Sequence, residues 1–384
     1  MASSSSSLGL APSSRRQCLQ DVSTLDDVVT LLQKSKRIIV VSGAGISVSA
    51  GIPDFRSRDI GLYNTLDCAK FGIPSAELLF DIEFFRIDPD PFYRFANLLL
   101  PSKQVKPTLC HKFLYLLQTR RKLLRNYTQN IDGLERKAGI TNLIECHGHM
   151  NTFHCIKCNR KRKLDEVIED VRNGMVCYCR CKEIMKPAVT FFGEQLPKIL
   201  FSTMIKDMPK CDLLLVIGTS LKVGGSVHEV LKGLDQSVPQ ILINRDPVQL
   251  PESISEGFDV SILGQCDDIA EYLCSQLGWL DLLGKHIAEN SNPILNGKTD
   301  DDLKENSSSS KMESPATVED EILVCNSGNK RKRIQDENEL EAMTAVSSAK
   351  WICRKNEERK FTVQRDTAQH DTVRSCLNDQ SDVV

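Results

Sequence analysis

Four short apolar runs in this chain each end in small or polar residues, and helical patterns separate them. The runs with their following residues are Arg37–Val41 before Gly43-Ala44-Gly45, Leu213–Ile217 before Gly218-Thr219-Ser220, Gln240–Ile243 before Asn244-Arg245-Asp246, and Asp259–Leu263 before Gly264-Gln265-Cys266. Continuous apolar runs of this length are typical of buried parallel strands. Amphipathic spacing predicts helices over Leu25–Lys34, with Thr24 as N-cap, and over Leu109–Thr119. We predict a doubly wound α/β sheet, in which ligands bind at the carboxyl ends of the strands.

Composition narrows the class of protein further. The chain has 384 residues, 41% of them apolar, which is enough for a sizeable core, and 49 basic residues almost balance 51 acidic ones. This balance points to no charged partner. No apolar run approaches the ~20 residues that span a bilayer, and the Ser-rich segment 1–14 lacks the apolar core of a secretion signal. We therefore expect the fifteen cysteines to lie in a reducing compartment.

The two ends of the chain differ in composition from the middle. We predict a folded unit over residues 25–283, a disordered Ser-rich head over 1–24 and a mostly disordered tail over 284–384, because the tail is polar and charged. The longest apolar run of the tail is Glu321–Cys325. Two outcomes stay open for it: it adds to an edge of the sheet, or it remains disordered.

The glycine turn Gly43-Ala44-Gly45 follows the first predicted strand. Glycines permit a tight turn and a close approach of backbone N–H groups to a pyrophosphate. The turn is an incomplete G-x-G-x-x-G pattern, because Val48 replaces the third glycine, and an ordinary turn is the alternative. The loop Gly51–Ser57, which contains Pro53, Phe55 and Arg56, suits a lid over a ligand, or else a plain surface loop.

Two further segments carry polar groups suited to a nucleotide pocket. Gln129-Asn130-Ile131-Asp132 supplies amides and a carboxylate for ribose or carboxamide groups, with a capped turn as the alternative. His147 stands beside Gly148 after the apolar pair Leu143-Ile144. It is a candidate general base or a structural histidine.

The cysteine cluster predicts a metal site. Cys155 and Cys158 have the spacing of half a zinc knuckle, and Cys177, Cys179 and Cys181 follow about twenty residues later. Three cysteines thus compete for two ligand positions. Cys177 and Cys181 are favoured because C-x-x-x-C lies within the usual ligand spacing, and Cys179 is the alternative. Four thiolates leave the metal no open position, so the predicted zinc is structural.

Taken together, these motifs give the chain from about Asp26 to Trp279 a strong similarity to one family. It resembles the sirtuins, which are NAD-dependent protein deacetylases, and most of all their class I, nuclear sirtuin-1-like branch. The matching segments are Gly43–Ser47, Gly51–Ser57, Thr128–Asp132, Cys146–Gly148, Met185–Pro187, Phe191–Glu194, Gly218–Leu221 and Ile243–Arg245.

The resemblance implies a Rossmann-like domain with a smaller inserted zinc-binding module at about residues 146–190. It implies His147 and Asn130 as catalytic residues. The implied NAD contacts are Gly43, Ala44, Gly45, Phe55, Arg56, Tyr63, Gln129, Asn130, Ile131, Asp132, Gly218, Thr219, Ser220, Asn244, Arg245, Asp246 and Cys266. The implied contacts to the acyl-lysine peptide are Phe191, Phe192, Gly193, Glu194 and Val223.

The implied reaction transfers the acetyl group of acetyl-lysine to ADP-ribose and releases nicotinamide, with His147 as general base on a ribose hydroxyl. Ala188 and Thr190 depart from the pattern of the family beside the peptide-binding strand. The Tyr-x-x-Arg pair with which one branch reads acidic acyl groups is absent, which favours uncharged acyl groups. Two alternatives are protein mono-ADP-ribosyl transfer and a non-catalytic NAD-binding repressor scaffold.

The resemblance also implies partners and a location. Acetylated proteins such as histone tails are the expected substrates, in chromatin complexes, with no direct DNA binding and no membrane. Lys330–Arg333 in the tail is a candidate nuclear-import signal, with Arg160–Lys163 as a weaker rival, and a cytoplasmic pool is left open.

Overall fold

The structure is a computed structural model that describes residues 15–54, 61–100, 105–221, 226–251, 255–283 and 361–364, which all belong to one compact unit. Several sequence predictions lie outside these residues: Phe55, Arg56, Val223, Glu321–Cys325 and Lys330–Arg333. Among the helices described, none has both the length and the apolar character needed to cross a bilayer.

The described chain contains ten strands and eleven α-helices. The strands are β1 Ile38–Ser42, β2 Leu123–Thr128, β3 Leu143–Glu145, β4 Gly148–Cys155, β5 Lys161–Lys163, β6 Met185–Val189, β7 Leu213–Ile217, β8 Gln240–Asn244, β9 Val260–Leu263 and β10 Thr362–Gln364. The helices are α1 Leu25–Lys34, α2 Leu62–Thr65, α3 Cys68–Phe71, α4 Ile82–Ile87, α5 Asp90–Ala96, α6 Leu109–Thr119, α7 Leu134–Lys137, α8 Ile168–Arg172, α9 Lys198–Asp207, α10 Ser226–Gly233 and α11 Cys266–Gln276.

The large sheet has the order β10-β9-β8-β7-β1-β2-β3. Every neighbouring pair is parallel except β10 and β9. From β1 the chain proceeds outward through β2 and β3, and then returns to the other side of β1 with β7. The switch point of this doubly wound sheet therefore lies between β1 and β7, which is where ligands bind in such folds.

Alternate residues of the central strands enter two different cores. Ile38 and Val40 pack on one face together with α1, α6 and α11. Ile39 and Val41 pack on the other face with α9 and α10. The strands are thus buried on both sides, which explains their continuous apolar sequence. The predicted α/β sheet is confirmed, and so are the helices α1 and α6, each begun by a threonine capping box.

A second, smaller layer is built on the three-stranded sheet β5-β4-β6. Its core joins this sheet to helices α3 to α5 and contains T-shaped aromatic pairs, such as Phe85 with Phe191 at a centroid distance of 5.3 Å. The predicted module at 146–190 is therefore only part of the smaller layer. Residues 71–96 complete its core from an earlier part of the chain.

Part of the predicted disordered head belongs to the folded unit. Arg16 is buried and donates to an Asp259 carboxylate oxygen at 2.6 Å and to the Val238 carbonyl at 3.1 Å. The same carboxylate accepts the backbone N–H groups of Leu19 and Gln240. The prediction of disorder was wrong for residues 15–24, because this guanidinium joins the start of the chain to β8 and β9.

A short piece of the tail also belongs to the sheet. Strand β10 pairs antiparallel with β9, so that Val363 lies opposite Ile262. Phe361 packs edge-on against Tyr272 of α11 at 5.0 Å between ring centroids. A tail segment, residues 362–364, thus adds to the sheet edge, whereas the predicted run 321–325 lies outside the described residues.

We expect Arg16→Ala to lower the free energy of unfolding by about 3–5 kcal/mol, because it leaves the buried Asp259 carboxylate without its charge partner. Arg15→Ala is the matched control, since Arg15 is exposed and should change stability little. Urea denaturation of both variants and the parent measures the effect. Equal stability of the Arg16 and Arg15 variants would contradict the proposed role of the ion pair.

Candidate active site

Two turns meet at the switch point of the sheet. The N–H of Gly43 donates to the Ile217 carbonyl at 3.0 Å, and the N–H of Gly45 donates to the Gly218 carbonyl at 2.8 Å. A Cβ atom on either glycine would lie 2.7 Å from Gly218 or Thr219 atoms, so only glycine permits this approach. The two glycine N–H groups therefore bind the neighbouring turn. This contact holds the carboxyl ends of β1 and β7 close together.

The segment after β2 lies beside these turns. The Gln129 Oε1 atom accepts from the Thr219 hydroxyl at 2.7 Å, and the Asn130 amide donates to the Gly43 carbonyl at 3.2 Å. The Asp132 carboxylate accepts from the Ser47 hydroxyl at 2.7 Å. The structure thus brings together the predicted glycine turns and the predicted polar segment.

One atom in this arrangement lacks a partner. The Nε2 group of Gln129 is buried and makes no hydrogen bond within the described part of the chain. A buried amide without a partner costs free energy, so such a group is usually satisfied by water or a ligand. Gln129 therefore offers a donor at the switch point to a ligand with an acceptor, such as a ribose hydroxyl or a carboxamide oxygen.

His147 lies at the start of the second layer, directly before β4. Its Nδ1 atom is 3.0 Å from the backbone carbonyl oxygen of Gln129. Because a carbonyl only accepts, Nδ1 carries the hydrogen in this contact, and the lone pair of the neutral ring is then on Nε2. The histidine is thus held in the tautomer that a general base requires, next to the amide pocket.

Three titratable side chains cluster beside the pocket: His111 and Glu135 are buried, and Asp132 is half-buried. Ligand atoms of His111, Asp132 and Glu135 are within 4.8 Å of one another. Burial, together with the neighbouring Asp132, raises the pKa of Glu135 to about 8. Burial also raises the pKa of Asp132 and lowers the pKa of His111 to about 3. Near neutral pH, Glu135 is therefore mostly protonated and His111 is uncharged.

Glu135 supports the pocket through a short chain of hydrogen bonds. Its carboxyl group accepts from the Thr128 hydroxyl, and the same hydroxyl oxygen accepts the N–H of Asn130 at 3.1 Å. Sequence analysis missed both Thr128 and Glu135 as site residues. The available signal was a carboxylate three positions after Asp132 at the start of α7.

The remaining predicted cofactor residues that the structure describes lie in several different elements. Asn244, Arg245 and Asp246 follow β8, where Arg245 pairs with Asp246 at 2.9 Å. Cys266 is buried at the first position of α11, and Ser220 is exposed beside Thr219. Tyr63 and Ile131 pack against the core of the second layer.

The predicted peptide-binding segment follows β6. Thr190 donates its N–H to the His147 carbonyl at 2.8 Å, so the segment begins next to the histidine. Phe191 is buried in the aromatic core, whereas Phe192 is 41% exposed and exchanges backbone hydrogen bonds with Phe80 and Ile82. Phe192 and Gly193 are thus better placed than Phe191 to line a surface channel.

Lys186 fixes the end of this segment. Its side chain is 1% exposed, and its ammonium lies 3.0 Å from the Glu194 carboxylate and 4.2 Å from the centre of the Phe191 ring. The carbonyls of Pro187 and Val189 accept from the same ammonium. Glu194 is therefore occupied by a structural ion pair, which sequence analysis did not foresee.

The cysteine thiols form a compact tetrad at the far end of the second layer. The sulfur atoms of Cys155, Cys158, Cys179 and Cys181 approach one another to 3.5–3.6 Å. Four sulfurs at about 2.3 Å from a tetrahedral zinc are about 3.8 Å apart, so the tetrad fits that metal. Cys177, the favoured fourth ligand, was a wrong choice. Its sulfur instead faces the Asp170 carboxylate at 3.9 Å.

Comparison with known proteins agrees with this geometry. Residues 43–225 match the Sir2 family. The chain is 48% identical over 270 residues to rat "NAD-dependent protein deacetylase sirtuin-1", covering 69% of this chain and 47% of the rat protein. The identity to the human protein of the same name is also 48%. The match covers 69% of this chain and 35% of the human protein. The identity to Candida albicans "NAD-dependent histone deacetylase SIR2" is 42% over 268 residues. That match covers 66% of this chain and 50% of the Candida protein.

The described residues thus form a doubly wound α/β domain with a polar pocket and a histidine at its switch point, joined to a cysteine-bearing layer. Residues 43–225 carry the Sir2 family domain, as the sequence resemblance indicated. The chain spans half or less of the length of the curated relatives named above.

We expect Glu135→Gln to change how stability depends on pH. The folded-state pKa of Glu135 is raised above its usual value of 4.5 to about 8. The folded protein therefore holds a proton that the unfolded chain releases, and its stability falls as pH rises from 4.5 to 8. Gln cannot ionise but can still accept from Thr128.

Urea denaturation of parent and variant at pH 5, 6, 7 and 8 tests this expectation. The free energy of unfolding of the parent should fall relative to that of Glu135→Gln as pH increases. Parallel pH profiles would show that the carboxyl group does not titrate in this range, because all other groups are common to both proteins.

Proposed function

We propose that this chain is an NAD-dependent protein-lysine deacetylase that transfers the acetyl group of acetyl-lysine to ADP-ribose and releases nicotinamide. The main observation is the placement of His147, whose ring is oriented by the Gln129 carbonyl beside the amide pocket at the switch point. The relatives named as NAD-dependent deacetylases support this activity over ADP-ribosyl transfer or a scaffold role.

The residues of the pocket have distinct roles in this proposal. NAD supplies a ribose whose bond to nicotinamide is the one broken. Gln129 has a buried N–H donor for this ribose or for the nicotinamide carboxamide. Asn130 and Asp132 are fixed by Gly43 and Ser47 in positions that can bind the polar groups of NAD. His147 accepts a proton at Nε2 from a ribose hydroxyl. Thr128 and Glu135 hold the Asn130 backbone from behind.

The acetyl-lysine peptide is proposed to lie along the segment after β6. Phe192 presents an exposed ring there, and Thr190 joins the segment to His147. Acetylated histone tails are the substrates that the names of the Drosophila and Candida relatives suggest. We further propose that the protein acts in the nucleus and that uncharged acyl groups are preferred.

We also propose that the cysteine tetrad holds one structural zinc ion. The tetrad contains four thiols and the sulfur separations fit tetrahedral coordination. Bound zinc would join the β4 end of the layer to the turn at Cys179–Cys181. With four protein ligands it would take no direct part in the reaction.

The histidine assignment predicts that His147→Ala folds and binds NAD but loses deacetylation by ~10² to 10⁴ in rate, as expected for removal of a general base. His149→Ala, two positions along, is the matched control and should retain turnover. Mass spectrometry of an acetyl-peptide incubated with NAD should detect acetyl-ADP-ribose with the parent and with His149→Ala. Near-normal product from His147→Ala would refute the assignment.

The zinc assignment predicts different results for two neighbouring cysteines. Cys179→Ser should lose the metal, because a ligand is removed, while Cys177→Ser should retain one zinc per chain. Elemental analysis of the purified variants measures this directly. Retention of zinc in Cys179→Ser together with its loss in Cys177→Ser would restore the assignment made from spacing.

A further inference from the structure

The end of the second layer that carries the cysteine tetrad is strongly basic. Seven basic residues and no acidic ones occupy positions 155–163 and 177–182: Lys157, Arg160, Lys161, Arg162, Lys163, Arg180 and Lys182. We call this set the basic knuckle. Six of its members are exposed, and Arg162 is half-buried. The chain as a whole has a formal net charge of −2, so overall composition conceals this local excess.

The structure brings the two halves of the basic knuckle to one place. The Cys158 sulfur lies 3.6 Å from the sulfurs of both Cys179 and Cys181. Lys157 adjoins Cys158, Arg180 lies between Cys179 and Cys181, and the Arg160 carbonyl accepts the N–H of Cys155. Residues separated by about twenty positions therefore form one continuous positive surface.

Acidic residues flank the basic knuckle at Asp165, Glu166 and Glu183, but few of its charges are paired with them. Arg162 pairs with Glu166 at 3.6 Å, and the other six members of the basic knuckle form no ion pair with any described residue. A zinc ion with four thiolates carries a charge of about −2, which the seven basic residues exceed. An uncompensated basic surface of this kind favours binding of an extended polyanion.

The form of the surface favours nucleic acid over a compact anion. Lys161–Lys163 lie on the exposed edge strand β5, which pairs only with β4 in its sheet. Long, exposed lysine and arginine side chains along a strand suit the regular spacing of backbone phosphates, and they read no sequence. A small anion would require a buried, converging set of donors, whereas these side chains are spread over the surface.

We propose that the basic knuckle binds the phosphate backbone of nucleic acid without sequence specificity. The sequence analysis expected no direct DNA binding, so this proposal departs from that expectation. Strand β4 runs from Gly148, next to His147, to Cys155, a distance of about 20 Å at the rise of a β-strand. A bound nucleic acid would therefore leave the peptide site open.

The test uses the full-length, zinc-loaded protein and a fluorescent 20-base-pair DNA duplex, at several salt concentrations and without NAD. The patch variant combines Arg160→Gln, Lys161→Gln and Lys163→Gln. The control variant removes three exposed charges elsewhere, by Lys34→Gln, Lys198→Gln and Lys206→Gln. A third variant keeps the charge, by Arg160→Lys, Lys161→Arg and Lys163→Arg.

Each lost phosphate contact reduces the slope of log K against log salt by about 0.9, so the patch variant should lose roughly 2 to 3 units of slope. The control and charge-conserving variants should keep the slope of the parent. Zinc content and melting temperature of all variants show that each is folded, and deacetylation of a free acetyl-peptide should be equal in all four proteins.

Three results would overturn the proposal. The first is failure of the parent to bind the duplex at low salt. The second is an equal loss of slope in the patch and control variants, which would show general charge attraction. The third is binding of an acidic poly-glutamate peptide at the basic knuckle in preference to the duplex. None of these results depends on the deacetylase activity, so failure of the proposed function would leave this test valid.

Discussion

The contact between the Gly43–Gly45 turn and the Gly218–Thr219 turn is the constraint on which the site depends. Two backbone hydrogen bonds join the turns, and the spacing leaves no room for a Cβ atom at Gly43 or Gly45. Because the ends of β1 and β7 are so close, Thr219 reaches Gln129 at the end of β2. Gln129 in turn orients His147 through its backbone carbonyl. A packing requirement between two strands thus sets the position of a side chain in the other layer.

The sequence predicted those parts of the fold that depend on local patterns. The four strands with polar ends, the helices α1 and α6, and the Thr24 cap of α1 were all found from runs, spacing and a capping residue. The predicted pocket residues also converge, because parallel strands place their carboxyl ends at one edge of the sheet. Periodicity and turn chemistry depend on residues close together in the chain, so both can be recognised in a single sequence.

Contacts between distant segments could not be predicted in this way. The partner of Arg16 is Asp259, more than two hundred positions later, and the sequence near Arg16 contains no pattern that predicts this pairing. Spacing allowed both Cys177 and Cys179 as ligands, and only the turn closed by the Lys182 N–H on the Cys179 carbonyl decides which sulfur faces the tetrad. Phe191 likewise appears as a candidate channel residue until the helices α4 and α5 are seen to enclose it.

Strand β10 has a consequence for the solution behaviour of the protein. It pairs with the outer side of β9, so the backbone groups of Ser261 to Leu263 are bonded within the chain. A bare edge of this kind is a template for pairing with another molecule. Removing residues 361–364 would uncover an apolar edge strand beside Tyr272, which has lost its ring partner. The segment therefore protects the protein against self-association, and a shortened protein would be limited first by its solubility.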